Sequence, residues 1–317
     1  MFTAKVYADT RKMSREDWLK SRKKGIGGSD ASAILGLNPY ASPLKVYSDK
    51  ISDDVKEETN EAMRQGTDFE QYVADRFTEE TGLNVKKCNK ILQSPDHPFM
   101  LANVDRLVIG HDWGLECKTT SPYSKFKFDD GEINPHYYWQ SMHYMAVTGA
   151  SRWYVAVLVL GKAFHVFQLD RDEEAIATLV QAEEDFWLQH VVLKIPPLPT
   201  GSESDDEALT AMYPEGEPDD DVVEMYDLDS IFDLRALTVA KRDELDDKIK
   251  EYDQQIKLAL GEKQRGIGTS WKVSWTNTST SRIDTKLLKT KYPSIAAECS
   301  KTTSGRRFSV AKIKEDR

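Results

Sequence analysis

Two motifs, eleven residues apart, contain side chains that could hydrolyse a phosphodiester bond. Asp105 ends an apolar run that begins at Leu101, and Glu116-Cys117-Lys118 follows it. If the two segments are adjacent strands, both carboxylates can share one Mg²⁺ ion, and Lys118 points from the same face because side chains alternate along a strand. An attacking water would then lie between the metal ion and the lysine. The acid-x-Lys pattern recurs at 246–248 and 284–286, where a solvated surface is the simpler interpretation.

Length and composition indicate a folded protein with one substantial core and a smaller appendage. The chain has 317 residues, of which 39% are hydrophobic. No run approaches the roughly 20 apolar residues that span a bilayer, and the polar start at 1–24 lacks a signal-peptide core. We therefore expect a cytoplasmic protein. The three cysteines lie far apart without metal-ligand spacing, which argues against a disulfide framework, a zinc site or an iron–sulfur cluster.

Acidic residues are concentrated in one segment of the chain. The net charge is −10, yet residues 195–233 alone contain thirteen Asp or Glu and no Lys or Arg, so the remainder carries +3. The tail 263–317 has thirteen Lys or Arg against four acids. We predict a body at 1–194, an acidic Pro-containing linker at 195–227, and a helical segment with a small basic module at 228–317. The linker is interpreted as a solvated spacer, with a DNA mimic as the alternative.

The hydrophobic pattern predicts an alternation of helices and strands in the body. The predicted elements are helices at 14–24, 29–35, 61–81, 135–148 and 170–191, and strands at 101–109, 113–119, 153–160 and 163–169. This order is typical of an α/β core with a central mixed sheet flanked by helices. Beyond it, one long helix or a short helical pair at 228–260, a strand at 271–276, a helix at 284–292 and a strand at 306–310 predict a C-terminal helical and small α+β extension. Its Lys, Arg and Trp side chains suit either DNA contact or a small packing unit, and the long helix also suits docking of a protein.

The motifs together resemble the YqaJ-like phage recombination nucleases, which are relatives of lambda exonuclease. The resemblance covers roughly residues 14–191 and rests on segments in the family's order, namely 18–40 with its Gly-Ile-Gly-Gly-Ser-Asp-Ala turn, 66–70, Asp105, 116–118 and 137–145. It implies a restriction-endonuclease-like PD-(D/E)xK core. It also implies a Mg²⁺-dependent exonuclease that resects linear duplex DNA from 5′-phosphorylated ends. One departure is Val104, which stands where the family usually has proline before the aspartate.

The resemblance implies roles for the acidic and basic residues of the body. The implied metal ligands are Asp105, Glu116, the backbone carbonyl of Cys117 and, directly or through a water, Glu70. Lys118 would orient or deprotonate the attacking water, which requires a lowered pKa. Gln140 would close the site beside the sheet. Mn²⁺ is expected to substitute for Mg²⁺.

A second group of residues is implied to bind the end of the DNA. Arg22 and Ser29 match positions that hold the terminal 5′-phosphate. A guanidinium, a hydroxyl and a helix N-terminus together favour an anion. The resemblance further implies a homotrimer around the DNA, and 3′ single strands passed to a phage single-strand annealing protein. The compartment would then be the host bacterial cytoplasm.

Two other functions remain open from the sequence. One is a different PD-(D/E)xK enzyme, such as an endonuclease, a repair nuclease or a CRISPR-adaptation-type nuclease. The CRISPR-adaptation type relies on four cysteines for a cluster, and this chain has three. The other is a non-catalytic DNA-binding protein that has kept the fold. The intact set of Asp105, Glu116 and Lys118 argues against it.

Overall fold

The computed structural model describes residues 2–54, 60–124, 126, 128, 131–216, 222–302 and 305–313. The chain divides into two compact units, Met1–Pro214 and Glu215–Arg317. Within these described ranges, no helix has both the length and the apolar composition needed to cross a membrane.

The first unit alternates helices with strands. Its helices are α1 (Arg15–Arg22), α2 (Gly28–Ile34), α3 (Pro43–Ile51), α4 (Glu61–Thr81), α5 (Pro135–Thr148), α6 (Glu173–Phe186), which continues as a π-helical turn at Trp187–Val192, and α7 (Glu203–Met212). Its strands are β1 (Lys5–Asp9), β2 (Val85–Lys87), β3 (Lys90–Gln93), β4 (Leu101–Asn103), β5 (Arg106–Val108), β6 (Trp113–Thr120), β7 (Arg152–Val159) and β8 (Ala163–Asp170).

Two sheets form the framework of this unit. The larger sheet has the order β2-β5-β6-β7-β8 and is mixed, because β6 and β7 are parallel while the other pairs are antiparallel. The smaller sheet, β1-β3-β4, is antiparallel. Strand β7 is buried almost throughout, as expected when helices cover both faces of a sheet. The predicted α/β class with a central mixed sheet is confirmed.

Alternate residues of the central strand β7 pack against different helices. Phe77 of α4 lies in one cluster with Tyr154, whereas Trp153 lies in another with Met142 of α5. Helix α4 spans the predicted 61–81. The side chain of Asn60 caps its first turn, and Gly82 ends it with a left-handed φ of 71° that disfavours other residues. These helices position the side chains that flank β6.

The single strand predicted over 101–109 is wrong, because β4 and β5 belong to different sheets. The chain crosses between the sheets at Val104 and Asp105. The carbonyl of Asp105 accepts hydrogen bonds from the backbone N–H of Cys88 at 3.2 Å and from the Arg106 guanidinium at 3.0 Å. Asp105 therefore precedes a strand instead of lying within one. The apolar pattern continues through the crossover, so it does not reveal the change of partner.

The segment predicted to start the linker differs from the structure, because α7 forms at 203–212 and packs on α3. Ala208 is fully buried, and Asp205 is buried beside it. Burial raises the pKa of Asp205, but hydrogen bonds from Ser42, Thr200 and Ser202 outweigh it and hold the pKa below its usual value. The acids of this segment therefore include one that caps a packed helix, which a count of charges does not show. Residues 217–221 of the predicted linker lie outside the described residues.

The second unit contains α8 (Asp229–Leu260), a hairpin of β9 (Arg265–Ile267) and β10 (Lys272–Ser274), α9 (Thr285–Lys291) and α10 (Pro293–Glu298). The predicted long helix and the helix capped by Asp284 are present. The predicted strand at 306–310 is wrong, since residues 305–310 have no regular structure. An alternating pattern forms a strand only beside a hydrogen-bonded neighbour, and β10 pairs with β9 instead.

Candidate active site

Asp105, Glu116 and Lys118 meet where β5 begins beside β6. The pairing of Arg106 with Leu115 brings the residue before β5 next to Glu116. The Asp105 carboxylate accepts a hydrogen bond from the Cys117 backbone N–H at 2.9 Å. The Lys118 ammonium contacts the Glu116 carboxylate at 2.7 Å. The structure thus brings together the acid and the acid-x-Lys motif: β5 and β6 form the predicted hairpin, but Asp105 lies just before β5, at the crossover from β4.

The two carboxylates are held close together in a buried environment. Burial and then the charge of Glu116 raise the pKa of Asp105 well above its usual value. Glu116 is 5% exposed, and its Oε2 atom has no hydrogen-bond partner. A buried carboxylate with an unsatisfied oxygen, next to a second, half-buried carboxylate, is costly unless a cation or a proton compensates the pair. This arrangement is typical of functional sites.

Lys118 differs from the expectation of a lowered pKa. Burial opposes its charged form, but Glu116, Tyr137 and Asp105 outweigh burial and raise the pKa of Lys118. Its ammonium also lies 5.3 Å from the centre of the Tyr137 ring. In this state the lysine is a cation paired with the acids. A lower pKa of Lys118 would require another cation to bind the two carboxylates in its place.

Gln140 of α5 orients Glu116, which agrees with its predicted position beside the sheet. Its amide nitrogen donates to Glu116 Oε1 at 2.7 Å and to the Tyr144 hydroxyl at 2.8 Å. Tyr144 in turn donates to the carbonyl of Asn103 at 3.1 Å. A β-carbon on Gly28 would lie 2.6 Å from the Tyr144 ring, so glycine there allows α2 to approach α5 closely. Tyr144 and Asn103 were missed by the sequence analysis, although Tyr144 lies one helical turn from Gln140.

Glu70 is tied to a residue that the sequence analysis did not single out. The Arg106 guanidinium forms a close ion pair with Glu70 and also donates to Gln71 at 3.1 Å, and Lys87 lies 3.6 Å from Glu70. Arg106 is 3% exposed, so this pair is largely shielded from water. The predicted role of Glu70 as a metal ligand would require the carboxylate to leave Arg106 or to act through water. The sequence offers one signal that Arg106 lies at the site, because this residue directly follows Asp105.

The donor set at the site suits a hard divalent cation held by few protein ligands. Among the described residues, no group of three or more His, Cys, Asp or Glu side chains is arranged to hold a metal ion. Asp105 and Glu116 nevertheless supply two carboxylates, and the free Glu116 Oε2 atom faces no protein donor. Mg²⁺ commonly uses one or two carboxylates and keeps several waters. These residues therefore fit Mg²⁺, with Asp105 and Glu116 as side-chain ligands.

Arg22 and Ser29 form a polar pocket beside the N-terminus of α2. The Arg22 guanidinium donates to the Ser29 hydroxyl at 2.9 Å and lies 4.8 Å from the centre of the Trp18 ring. Trp18 donates through its indole N–H to the Asn103 side chain at 3.1 Å. Asn103 lies two residues before Asp105. The structure therefore joins the two predicted binding residues and connects them to the strand that leads to the acidic site.

A buried lysine on α3 holds this pocket together. Lys50 contacts the Asp30 carboxylate at 2.6 Å and donates to the Arg22 carbonyl at 3.0 Å. Asp30 also accepts from the Gly27 N–H at 2.9 Å. Burial raises the pKa of Asp30, but the charges of Lys50 and Arg22 prevail and lower it. A cavity of about 630 Å³ opens here, and Arg22, Asp30 and Lys50 line it. Lys50 was missed because its contacts join segments that are distant in sequence.

Comparison with known proteins finds a matching family model, a similar sequence and several similar solved structures. Residues 17–151 match the model of the YqaJ-like viral recombinase domain. Solved structures with a similar fold include the alkaline exonuclease LHK-Exo from Laribacter hongkongensis in complex with dAMP, at 20% identity, with a TM-score of 0.48, covering 56% of this chain and 93% of that one. A phage-related exonuclease from Haemophilus somnus 129PT aligns at 14% identity with a TM-score of 0.41, covering 54% of this chain and 96% of that one.

The sequence relationship extends well beyond the matched domain. The uncharacterized protein YqaJ of Bacillus subtilis (strain 168) is 35% identical over 314 residues, which cover 98% of this chain and 98% of that protein. The similarity therefore includes the second unit with α8. On this full-length match and the recombinase-domain match, the chain belongs to the YqaJ-like viral recombinase family.

Proposed function

We propose that this protein is a Mg²⁺-dependent exonuclease that resects linear double-stranded DNA from 5′-phosphorylated ends and leaves 3′ single strands. The observation that carries the proposal is the buried pair of Asp105 and Glu116 beside Lys118, in a chain of the viral recombinase family. A carboxylate pair with one unsatisfied oxygen suits a divalent cation, and a neighbouring cation suits a phosphodiester.

The side chains of the site have separable tasks in this proposal. Mg²⁺ would neutralise phosphodiester charge and acidify the attacking water. Gln140 holds Glu116 in one orientation through its 2.7 Å hydrogen bond. Lys118, once its two acids are engaged elsewhere, is released to donate its Nζ protons to a phosphoryl oxygen or to orient water. Arg106 keeps Glu70 close to the site.

The preference for a 5′-phosphate is assigned to the pocket of Arg22 and Ser29. A terminal phosphate monoester carries more charge than an internal diester and offers three oxygens to donors. Lys50 supports this pocket from behind without being exposed itself, since only 6% of its side chain is accessible. The pocket would thereby distinguish a phosphorylated end from a hydroxyl end.

The family resemblance extends the proposal to the protein's surroundings. We propose that Mn²⁺ replaces Mg²⁺, that the copies assemble as a homotrimer around DNA, and that a single-strand annealing protein receives the 3′ strand in the bacterial cytoplasm. Co-purification of a single-strand annealing protein with this protein from the bacterial cytoplasm would test the last point.

The deciding experiment compares DNA substrates that differ only in their ends. Linear duplexes with 5′-phosphate or 5′-hydroxyl ends and the same sequence as a closed circle are incubated with the protein and Mg²⁺. We expect degradation of linear DNA, faster from the phosphorylated end, with the circle left intact. Cutting of the closed circle would favour an endonuclease instead. Equal rates from the two ends would remove the assigned role of the pocket.

Variants separate cutting from binding of DNA. Lys118→Ala is expected to bind phosphorylated ends but to degrade them at least about 100-fold more slowly, because binding uses other residues. Arg22→Ala is expected to lose the preference for the phosphorylated end and to retain metal binding. A Lys118→Ala protein with unchanged activity would contradict the proposed site.

A further inference from the structure

Helix α8 of the second unit carries an exposed apolar seam. The helix has 32 residues, and none of them is buried. Leu245, Ile249, Tyr252 and Ile256 follow one another at intervals of four, three and four residues, and they are 52%, 57%, 58% and 46% exposed. Intervals that alternate between three and four residues place side chains on one stripe that a second helix can cover. These four residues are called the α8 seam.

The spacing of the α8 seam defines a heptad register. Ile249 and Ile256 occupy the a positions, while Leu245 and Tyr252 occupy the d positions. The positions beside the seam, e and g, then carry opposite charges. Asp246 and Asp253 occupy e, and Lys241 and Lys248 occupy g. In coiled coils these flanking positions determine the partner and its direction.

We propose that the α8 seam pairs with the seam of a second copy of this chain as a parallel coiled coil. In a parallel pair, each g residue meets the e residue five positions later on the other helix. Within the coil, Lys248 of each helix then faces Asp253 of the other, so this contact is attractive in both directions. An antiparallel pair would set e against e and g against g, which opposes Asp to Asp and Lys to Lys. The charges therefore favour self-association in one orientation.

The pattern also sets the number of strands and the length of the coil. Isoleucine at both a positions, with leucine at the first d position, favours two strands. Towards the N-terminus the a positions become Arg235 and Arg242, whose like charges would face one another across the pair, so the coil is confined to residues 245–259. Fifteen helical residues are about 22 Å long. An interface of this size predicts association that depends on protein concentration.

This pairing goes beyond the proposed function, because it joins copies through the second unit and needs neither DNA nor metal. It also differs from the homotrimer implied by the resemblance, which would be assembled by other surfaces. The full-length protein is therefore tested without DNA or Mg²⁺. Sedimentation equilibrium at several protein concentrations is expected to show reversible pairing of the unit, monomer or homotrimer, that is present at the lowest concentration.

Charge reversal at a g position beside the α8 seam tests whether the two helices are parallel. Lys248→Glu creates two Glu–Asp contacts per dimer and is expected to raise the dimer dissociation constant on the order of tenfold. Adding Asp253→Lys to the same chain recreates the attraction with exchanged signs and should restore the native constant to within about threefold. Lys250→Glu is the matched control, because it makes the same charge change at a b position away from the seam.

Each possible result of these measurements either supports or rejects the parallel pair. Weakening by Lys248→Glu, restoration by the double variant and no effect of Lys250→Glu support the parallel pair. A protein that stays monomeric at all concentrations would overturn the proposal, because the seam would then be covered by its own chain or by another protein. A double variant as weak as Lys248→Glu, or an oligomer that all variants leave unchanged, would overturn it equally. Circular dichroism checks that α8 keeps its helical content in each variant.

Discussion

The buried contact of Lys50 with Asp30 provides a stringent test of how the pocket beside α2 is held. Lys50→Met keeps the length and most of the volume of the side chain while removing its charge. The substitution leaves the Asp30 carboxylate without its 2.6 Å partner and the Arg22 carbonyl without its 3.0 Å donor. Both lost contacts involve the end of α1 and the first turn of α2, which flank the pocket.

Burial determines the size of the expected effect. Lys50 and Asp30 are 6% and 15% exposed, so water can replace little of the lost interaction. Removing one partner of a buried pair typically costs about 3–5 kcal/mol of the free energy of unfolding. Because Asp30 keeps the Gly27 N–H and the nearby Arg22 charge, we expect the lower end of that range.

A second pair of equal length serves as the control. Lys20 contacts Glu16 at 2.6 Å on α1, but these side chains are 54% and 68% exposed. Lys20→Met removes the same chemical group at the same distance in water. Exposed pairs contribute little to stability, so the unfolding midpoint should hardly move. The difference between the two variants isolates the effect of burial.

The dependence on pH has a definite sign. Burial raises the pKa of Asp30, but Lys50 and Arg22 outweigh it, so the pKa in the folded protein lies below 3.8. An acid with a lowered folded-state pKa stabilises the fold above its unfolded pKa, and this contribution is lost as the pH falls through the folded value. In Lys50→Met the carboxylate becomes costly to ionise. The stability difference between the native protein and Lys50→Met should therefore be full at neutral pH, begin to narrow at pH 4, and close only below 3.8, as the pH falls through the folded pKa of Asp30.

Urea unfolding followed by circular dichroism measures both effects. Native protein, Lys50→Met and Lys20→Met are compared at pH 7 and at pH 4, with the slope of the transition used to check that the unfolded states are alike. A loss below about 1 kcal/mol in Lys50→Met, or a loss equal to that in Lys20→Met, would refute the reasoning. A gap that widens at low pH would refute the assignment to Asp30.

Three further predictions concern the acidic site and its support. Gly28→Ala places a β-carbon 2.6 Å from the Tyr144 ring and should lower the free energy of unfolding by about 1–3 kcal/mol in a urea titration. Gln140→Met removes the 2.7 Å hydrogen bond to Glu116 and should lower Mg²⁺ affinity or nuclease activity about 10–100-fold, with the fold intact by circular dichroism. Because the pKa of Asp105 is raised, protons compete with Mg²⁺ for this carboxylate more strongly than usual, so calorimetry at decreasing pH should show weaker Mg²⁺ binding and a heat that varies with the buffer.

Local signals in the sequence were sufficient for the long elements and for the residues of the acidic motif. Helix α4 has a capping Asn60, a regular apolar stripe and Gly82 at its end, so its limits could be predicted from neighbouring residues alone. The pair of β7 and β8 likewise follows from two apolar runs around a Gly-Lys turn. The motifs at Asp105 and Glu116 were recognisable because residue type and spacing on adjacent segments are sufficient to suggest shared ligands.

Contacts between distant segments could not be predicted in the same way. The ion pair of Arg106 with Glu70 joins residues 36 positions apart, and neither residue type indicates the other. The contact of Lys50 with Asp30 depends on where α3 packs. Helix α7 was hidden because acidic residues usually indicate solvated chain, whereas the Oδ2 atom of Asp205 accepts four hydrogen bonds from backbone and hydroxyl donors. In each case burial, which a single sequence does not report, decides what a charged side chain does.

One hydrogen-bonded path connects the two ends of the candidate site. Trp18, which stacks under the guanidinium of the pocket, donates to the side chain of Asn103. Tyr144 donates to the carbonyl of the same residue and accepts from Gln140, which holds Glu116. A rigid path of this kind sets a constant separation between the pocket and the carboxylates. If the pocket binds the terminal phosphate as proposed, that separation determines which phosphodiester bond reaches the carboxylates. Asn103→Ala should therefore make the position of the cut less uniform, with a smaller effect on the rate of cutting.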